Sequence, residues 1–134
     1  MNDPVTAPAQ DVVELRIPAK AEWVAVGRLA VAAVASRSNF SVDDIEDVRL
    51  ALAEACTSVI RHAEPGDQIE IRCETGPNEL SVCVRGGARL ALRADSRSED
   101  GLGILIIQSL MDSVEYRVQQ GGIVLEMVKR VQTR

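Results

Sequence analysis

The segments QIEIRCE and ELSVCVR, joined by TGPN at residues 75–78, alternate apolar and polar side chains on both sides of a Gly-Pro break. That pattern reads as two antiparallel strands in a hairpin, each with one apolar face. A strand pair of this kind is not stable alone, so another layer has to cover the apolar face.

The rest of the chain supplies that layer. VVELRI alternates, with Val13, Leu15 and Ile17 on one face, and Pro18 ends this first strand. From Lys20 to about Ser36, Trp23, Val26, Ala30 and Val34 recur at helical spacing in an Ala-rich run. Ser41 precedes Asp44 by three positions, a relative of the capping box, and opens a second helix with the stripe Ile45, Val48, Leu52, Ala55 and Val59. This helix is expected to run to about Ala63, where EPGD stops it. After the hairpin, Asp100 is placed to cap a third helix that starts at GLG and continues through ILIIQSLMDS. VEYRV, a QQGG turn and IVLEMVKR then read as a last hairpin. The order β-α-α-β-β-α-β-β predicts an α+β two-layer sandwich: a mixed, mostly antiparallel sheet with its helices on one face.

At 134 residues the chain suits one domain. Residues 1–10, with two prolines and no periodicity, read as a flexible leader, and residues 11–134 as the domain. Only 2% of residues are aromatic, so Ala, Val, Leu and Ile must fill the core. A net charge of −5 with one Trp, one Tyr and one Phe argues against direct nucleic-acid binding, which uses basic faces and stacking aromatics. No apolar run is long enough to span a membrane and the first residues lack signal-peptide character, so the expected location is the cytoplasm. Cys56, Cys73 and Cys83 form no C-x-x-C pair and read as buried free thiols.

Two segments carry candidate chemistry. In LALAEACTSVIRHA, residues 50–63, Glu54 and Ser58 differ by about 40° around a helix axis, while Glu54 and Leu52 differ by about 200°. Glu54, Ser58, Arg61 and His62 therefore share one side, either as a solvated polar face or, with Ala51, Ala55 and Ser58 leaving space, as a ligand-facing one. In DGLG, residues 100–103, glycines at a helix start let backbone N–H groups approach a phosphate, which the helix dipole also favours. The plain alternative there is a flexible turn capped by Asp100. Residues 86–99 lack a sustained period and form a long loop, a candidate lid or binding loop.

Taken together, RLALAEACTSVIRHA, the hairpin, the loop and DGLGILIIQSLMDSVEY resemble the RsbW-type anti-sigma serine kinases of the GHKL superfamily, over about residues 11–131. The resemblance implies the Bergerat ATP-binding fold, with ATP and magnesium as cofactors. It identifies the second helix as the N box, in which Glu54 takes the place of the catalytic Glu and His62 that of the His. Ser58 stands where the family has the Asn that holds magnesium. Arg85 stands where the G1 box has the adenine-reading Asp, followed by Gly86, Gly87, Ala88 and Arg89. Arg has only donors to offer an amine that also donates. Asp100, Gly101, Leu102 and Gly103 match the phosphate-cradling G2 box.

The resemblance leaves two functional classes open. One is an anti-sigma factor that holds a sigma factor and is countered by an anti-anti-sigma (STAS-domain) protein in a partner switch, with a degenerate ATP site. The other is an active serine kinase that phosphorylates the anti-anti-sigma partner. A homodimer is implied by the resemblance for both.

Overall fold

The computed structural model of the chain describes residues 11–87, 101–119 and 122–132. The leader expected over residues 1–10, and residues 88–100 with most of the expected loop and Asp100, lie outside the described residues.

The strands are β1 (Val12–Pro18), β2 (Gln68–Thr75), β3 (Glu79–Gly86), β4 (Ser113–Gln119) and β5 (Gly122–Arg130). The helices are α1 (Val24–Ala35), α2 (Val42–Ile60) and α3 (Gly101–Leu110), and a single 3-10 turn at Ala21–Trp23 leads into α1. This is the expected order. The strands lie in the order β1-β2-β3-β5-β4, and every pairing is antiparallel. The mostly antiparallel sheet of the sequence reading therefore holds no parallel pair among the described strands.

The periodicity of each strand determines which face is covered. Ile69, Ile71 and Cys73 of β2, Leu80, Val82 and Val84 of β3, and Ile123, Leu125 and Met127 of β5 turn towards the helices and are buried. Val48, Leu52, Ala55, Cys56 and Val59 of α2 meet them, with Val31 and Ala35 of α1 and Ile107 of α3 on either side. Helix α2 is the middle helix of the layer, packed between α1 and α3. Its start is fixed as expected: Ser41 Oγ accepts the Asp44 N–H at 3.0 Å. Its end comes earlier, at Ile60, and Arg61 to Ala63 continue as turns, with the His62 N–H donating to the Val59 carbonyl.

Opposite the helices the sheet carries a lattice of charge. Arg16 pairs with Glu70, Arg72 with Glu14 and Glu74, Arg117 with Glu115 and Glu126, and Arg130 with Glu79. Exposed pairs of this type add little stability each, but they keep an uncovered sheet face wet. Two of the three thiols are buried as expected: burial pushes Cys56 up to about 12 and Cys73 up to about 11 from an ordinary 9.0. Cys83 departs from the expectation. It alternates onto the charged face and is only half-buried. A thiol reagent at pH 8 is therefore expected to modify at most Cys83 in the native protein, and all three only after unfolding. Above about pH 9 the unfolded chain loses protons that Cys56 and Cys73 retain when folded, so urea titrations from pH 9 towards 11 should show falling stability.

Lys129 ties the far end of the helix layer together. It is 8% exposed, and its Nζ donates to the carbonyl of Leu110, the last residue of α3, at 2.7 Å. The same ammonium lies 3.4 Å from Asp47 and 3.8 Å from Asp44, in the first turns of α2. A cation at a helix C-terminus is favourable, and here it also neutralises two carboxylates beside the core. Lys129→Ala should cost about 2–4 kcal/mol in denaturant unfolding, because it strands Asp44 and the Leu110 carbonyl with less water than they need.

Candidate functional site

Antiparallel packing of α2 and α3 carries the Leu110 end of α3 to the start of α2, and the Gly101 end of α3 to the second half of α2. The residues that meet there are Gly103, Glu54 and Ser58. A methyl group added to Gly103 would lie 2.9 Å from Glu54 Oε2 and 3.1 Å from Ser58 Oγ, so any side chain here would press on both polar groups. Two segments that the sequence offered as separate candidates thus form one site.

Within it, Glu54 is half-buried and Ser58 is 3% exposed. The solvated polar face considered for this side of α2 is therefore wrong for Ser58. Four residues after Glu54, it rotates far enough to be sealed by α3. Among the described residues its Oγ has no hydrogen-bond partner, and a buried hydroxyl without one costs on the order of 1–3 kcal/mol. A hydroxyl there can donate to a phosphate oxygen or offer an oxygen to a hard cation. Backbone N–H groups in the first turn of α3 have no acceptor within their own helix, and the ten-residue helix adds the positive end of its dipole. A polyphosphate suits this end of the cleft. Glu54 would repel it directly, so a cation between carboxylate and phosphate completes the charge balance. Among the described residues no group of three His, Cys, Asp or Glu side chains gathers to hold a metal by itself. Magnesium would therefore take oxygen ligands from Glu54 or Ser58 and from the phosphates themselves.

The remaining sequence candidates divide. Gly101 opens α3 and Gly103 lies against Glu54, while the Leu102 side chain is 69% exposed, so Leu102 can contribute only its backbone. Gly87 is exposed just beyond the end of β3. His62 is half-buried in the turn after α2 and no longer in the helix that carries Glu54. Asp100 lies outside the described residues.

Arg85 does not join the site. It is exposed and lines a groove on the charged face with Glu14, Arg16, Glu70, Arg72 and Cys83. In β3 the residues facing the helices are Val82, Val84 and then Gly86, so the last inward position of the strand is a glycine. Arg85, which the resemblance set at the G1 position, thus lies on the sheet face opposite the helices, because successive strand residues alternate faces. Among the described residues, the end of β3 therefore turns no carboxylate towards the helices. Arg85→Asp should leave nucleotide affinity unchanged, within twofold by fluorescent-nucleotide titration.

Sequence reasoning also missed Gly122. It has φ +138° and packs against the Gly86 carbonyl at the end of the β3–β5 ladder. The QQGG turn signal pointed to it, but only as a loop residue.

Comparison with known proteins identifies the family. Residues 17–129 match the family model described as a histidine kinase-like ATPase domain. The chain is 36% identical over 137 aligned residues to the serine-protein kinases RsbW of Bacillus thuringiensis (strain Al Hakam), Bacillus cereus (strain AH820) and Bacillus anthracis (strain A0248). Each alignment covers 90% of this chain and 85% of the relative. Among solved structures, the RsbU and RsbW domains of Rv1364c from Mycobacterium tuberculosis superpose with a TM-score of 0.69 at 12% identity, over 92% of this chain and 33% of that one. That likeness concerns the fold alone. With an ATPase-domain match and kinase relatives both aligned over most of its length, the chain belongs to the histidine kinase-like ATPase domain family, in the branch of the RsbW serine-protein kinases.

Proposed function

We propose that the protein is an anti-sigma factor of the RsbW type. It holds a sigma factor in an inactive complex and yields it when an anti-anti-sigma protein with a STAS domain competes for an overlapping surface. Such a switch needs mutually exclusive interfaces whose balance is set by affinity and concentration. The acidic balance of the chain, −5 overall, favours fast encounter with a basic partner surface.

The observation that carries the nucleotide part of this reading is the asymmetry of the cleft. Its phosphate end is built from Gly103, Ser58 and the start of α3, whereas among the described residues the end of β3 offers Gly86 and no base-reading side chain. The site is thus degenerate: phosphates and magnesium bind weakly at Ser58 and α3, and adenine is not selected. Calorimetry with ATP and GTP in magnesium tests this. Weak, similar binding of both supports it; micromolar, magnesium-dependent ATP binding with a strong preference over GTP would show a complete ATP site. Co-purification from the native cell tests the partner, and retention of no sigma factor would sink the anti-sigma assignment.

A second reading, an active serine kinase, is favoured by the position of Glu54. Its carboxylate oxygen and Ser58 Oγ both face Gly103 at the start of α3, and there the carboxylate can accept the proton of a serine hydroxyl aimed at a terminal phosphate. The two readings separate on one variant. Glu54→Ala should leave the sigma complex intact in both, and only a kinase loses phosphorylation of the anti-anti-sigma partner, by 100-fold or more on the usual scale of about 10²–10⁴ for general-base removal.

A further inference from the structure

We propose that Lys129 and Asp112 are positioning residues of the cleft: they clasp the Leu110 end of α3 to β5 and to the start of α2, and so set where Gly103 stands against Glu54 and Ser58. The inference rests on the reading of that end of the cleft as the phosphate site. It gives the LMDS residues, which close the segment begun by DGLG, a role at the site.

Three successive residues of β5 make the clasp. The Val128 carbonyl accepts the Asp112 N–H at 2.8 Å, Lys129 Nζ donates to the Leu110 carbonyl at 2.7 Å, and the Arg130 N–H donates to Asp112 Oδ2 at 2.6 Å. Lys129 also reaches α2, 3.4 Å from Asp47 and 3.8 Å from Asp44. One ammonium thus touches both helices at the end where α3 stops and α2 begins. Its side chain is only 11% exposed, so protein oxygens have to do for it what water does elsewhere, and they do so only from fixed places. A methionine would fill the same space without fixing either helix along its axis.

The helices carry this constraint to the cleft. Asp47 and Glu54 are seven residues apart on α2, and Leu110 and Gly103 are seven apart on α3. Seven residues are almost two turns, so each pair is aligned to within about 20° on one face of its helix and separated by about 10 Å along the axis. The stripe of α2 that meets Lys129 therefore passes the buried Ala51 and meets Gly103 at its other end. Because α2 and α3 run antiparallel, the path from clasp to cleft is equally long on both. A slip of one residue along either helix is a shift of about 1.5 Å with a turn of about 100°, enough to carry Gly103 off its two polar neighbours. The contact has little slack, since a methyl group on Gly103 already lies 2.9 Å from Glu54 Oε2 and 3.1 Å from Ser58 Oγ. Misplacement by about 1 Å costs on the order of 100-fold where reacting groups must be aligned.

The test reads the site without nucleotide. In a parent protein carrying Cys83→Ser and Ser58→Cys, the thiol at position 58 is sealed under α3, and the fully buried native Cys56 of the same helix is an internal control. Iodoacetamide labelling is followed at each position by mass spectrometry, with circular dichroism to verify folding. Lys129→Met and Asp112→Ala should each speed labelling at position 58 by about tenfold or more through local opening, and leave Cys56 unchanged. Asp112→Asn keeps an oxygen that accepts the Arg130 N–H, so it should label at the parent rate. Labelling at position 58 that stays slow in the folded variants would overturn the proposal, because α3 then keeps its place without the clasp. Equal acceleration at positions 56 and 58 would overturn it too, because the two residues then only hold the fold together. Asp112 is exposed, so Asp112→Ala decides the matter even where Lys129→Met does not fold. Calorimetry with ATP and magnesium separates the underlying reading. A wild type that takes up no ATP overturns the phosphate site whatever the labelling shows, whereas affinity reduced about tenfold in Asp112→Ala and regained in Asp112→Asn supports site and clasp together.

Discussion

Gly122→Ala is expected to destabilise the protein by about 3–5 kcal/mol, the sum of a disfavoured backbone and a steric clash. Gly122 has φ +138°, a conformation that side chains rarely adopt, and a methyl group would land on the Gly86 carbonyl oxygen. The obstacle is backbone in the neighbouring strand, so no rotamer change relieves it; β3 and β5 would have to separate at their ladder end. Against a typical total of about 5–15 kcal/mol, a loss of this size leaves little margin, and the melting temperature should drop by roughly 10–20 °C. Thermal melts followed by circular dichroism measure it, and a fall of only a degree or two would show that the β5 start readjusts freely.

Gly103→Ala should behave in the opposite way, with stability nearly unchanged and nucleotide affinity reduced tenfold or more. The atoms that an added methyl meets, Glu54 Oε2 at 2.9 Å and Ser58 Oγ at 3.1 Å, are side-chain ends that can yield by a few tenths of an ångström. Alanine also gains up to about 1 kcal/mol over glycine inside a helix, which offsets that adjustment. What the methyl fills is the space between the start of α3, the buried hydroxyl and the carboxylate, where phosphate is proposed to bind. A tenfold loss corresponds to about 1.4 kcal/mol, less than one phosphate hydrogen bond to a charged acceptor can contribute. Fluorescent-nucleotide titration beside a thermal melt separates the two effects. Unchanged affinity in Gly103→Ala would place the phosphates elsewhere, whereas Arg85→Asp serves as the silent control on the opposite face.

These two glycines show where sequence reasoning reached and where it stopped. Gly103 belonged to a recognisable G-x-G at a helix start, and its approach to a phosphate was legible as a local property. That it presses on Glu54 and Ser58 was not, because the contact joins segments more than forty residues apart and depends on how α2 and α3 pack. Ser58 shows the same limit. Helical geometry placed it beside Glu54, but its burial depends on a second helix lying over it. Cys83 and Arg85 failed for a different reason. Both were read correctly as strand residues, yet a strand has two faces, and only the neighbouring ladders show which one the helices cover.

The amino-acid sequence determined the order of elements, the hairpins, the capped start of α2 at Ser41 and the family resemblance, because 2.0- and 3.6-residue periods and turn chemistry are local and survive without a partner. Tertiary structure alone decided that Gly103 closes on Glu54 and Ser58, that Arg85 belongs to the outer charged face, and that β1 is an edge strand of the described sheet. Those outcomes rest on contacts between distant segments, where a shift of one residue or one helix face changes which atoms meet.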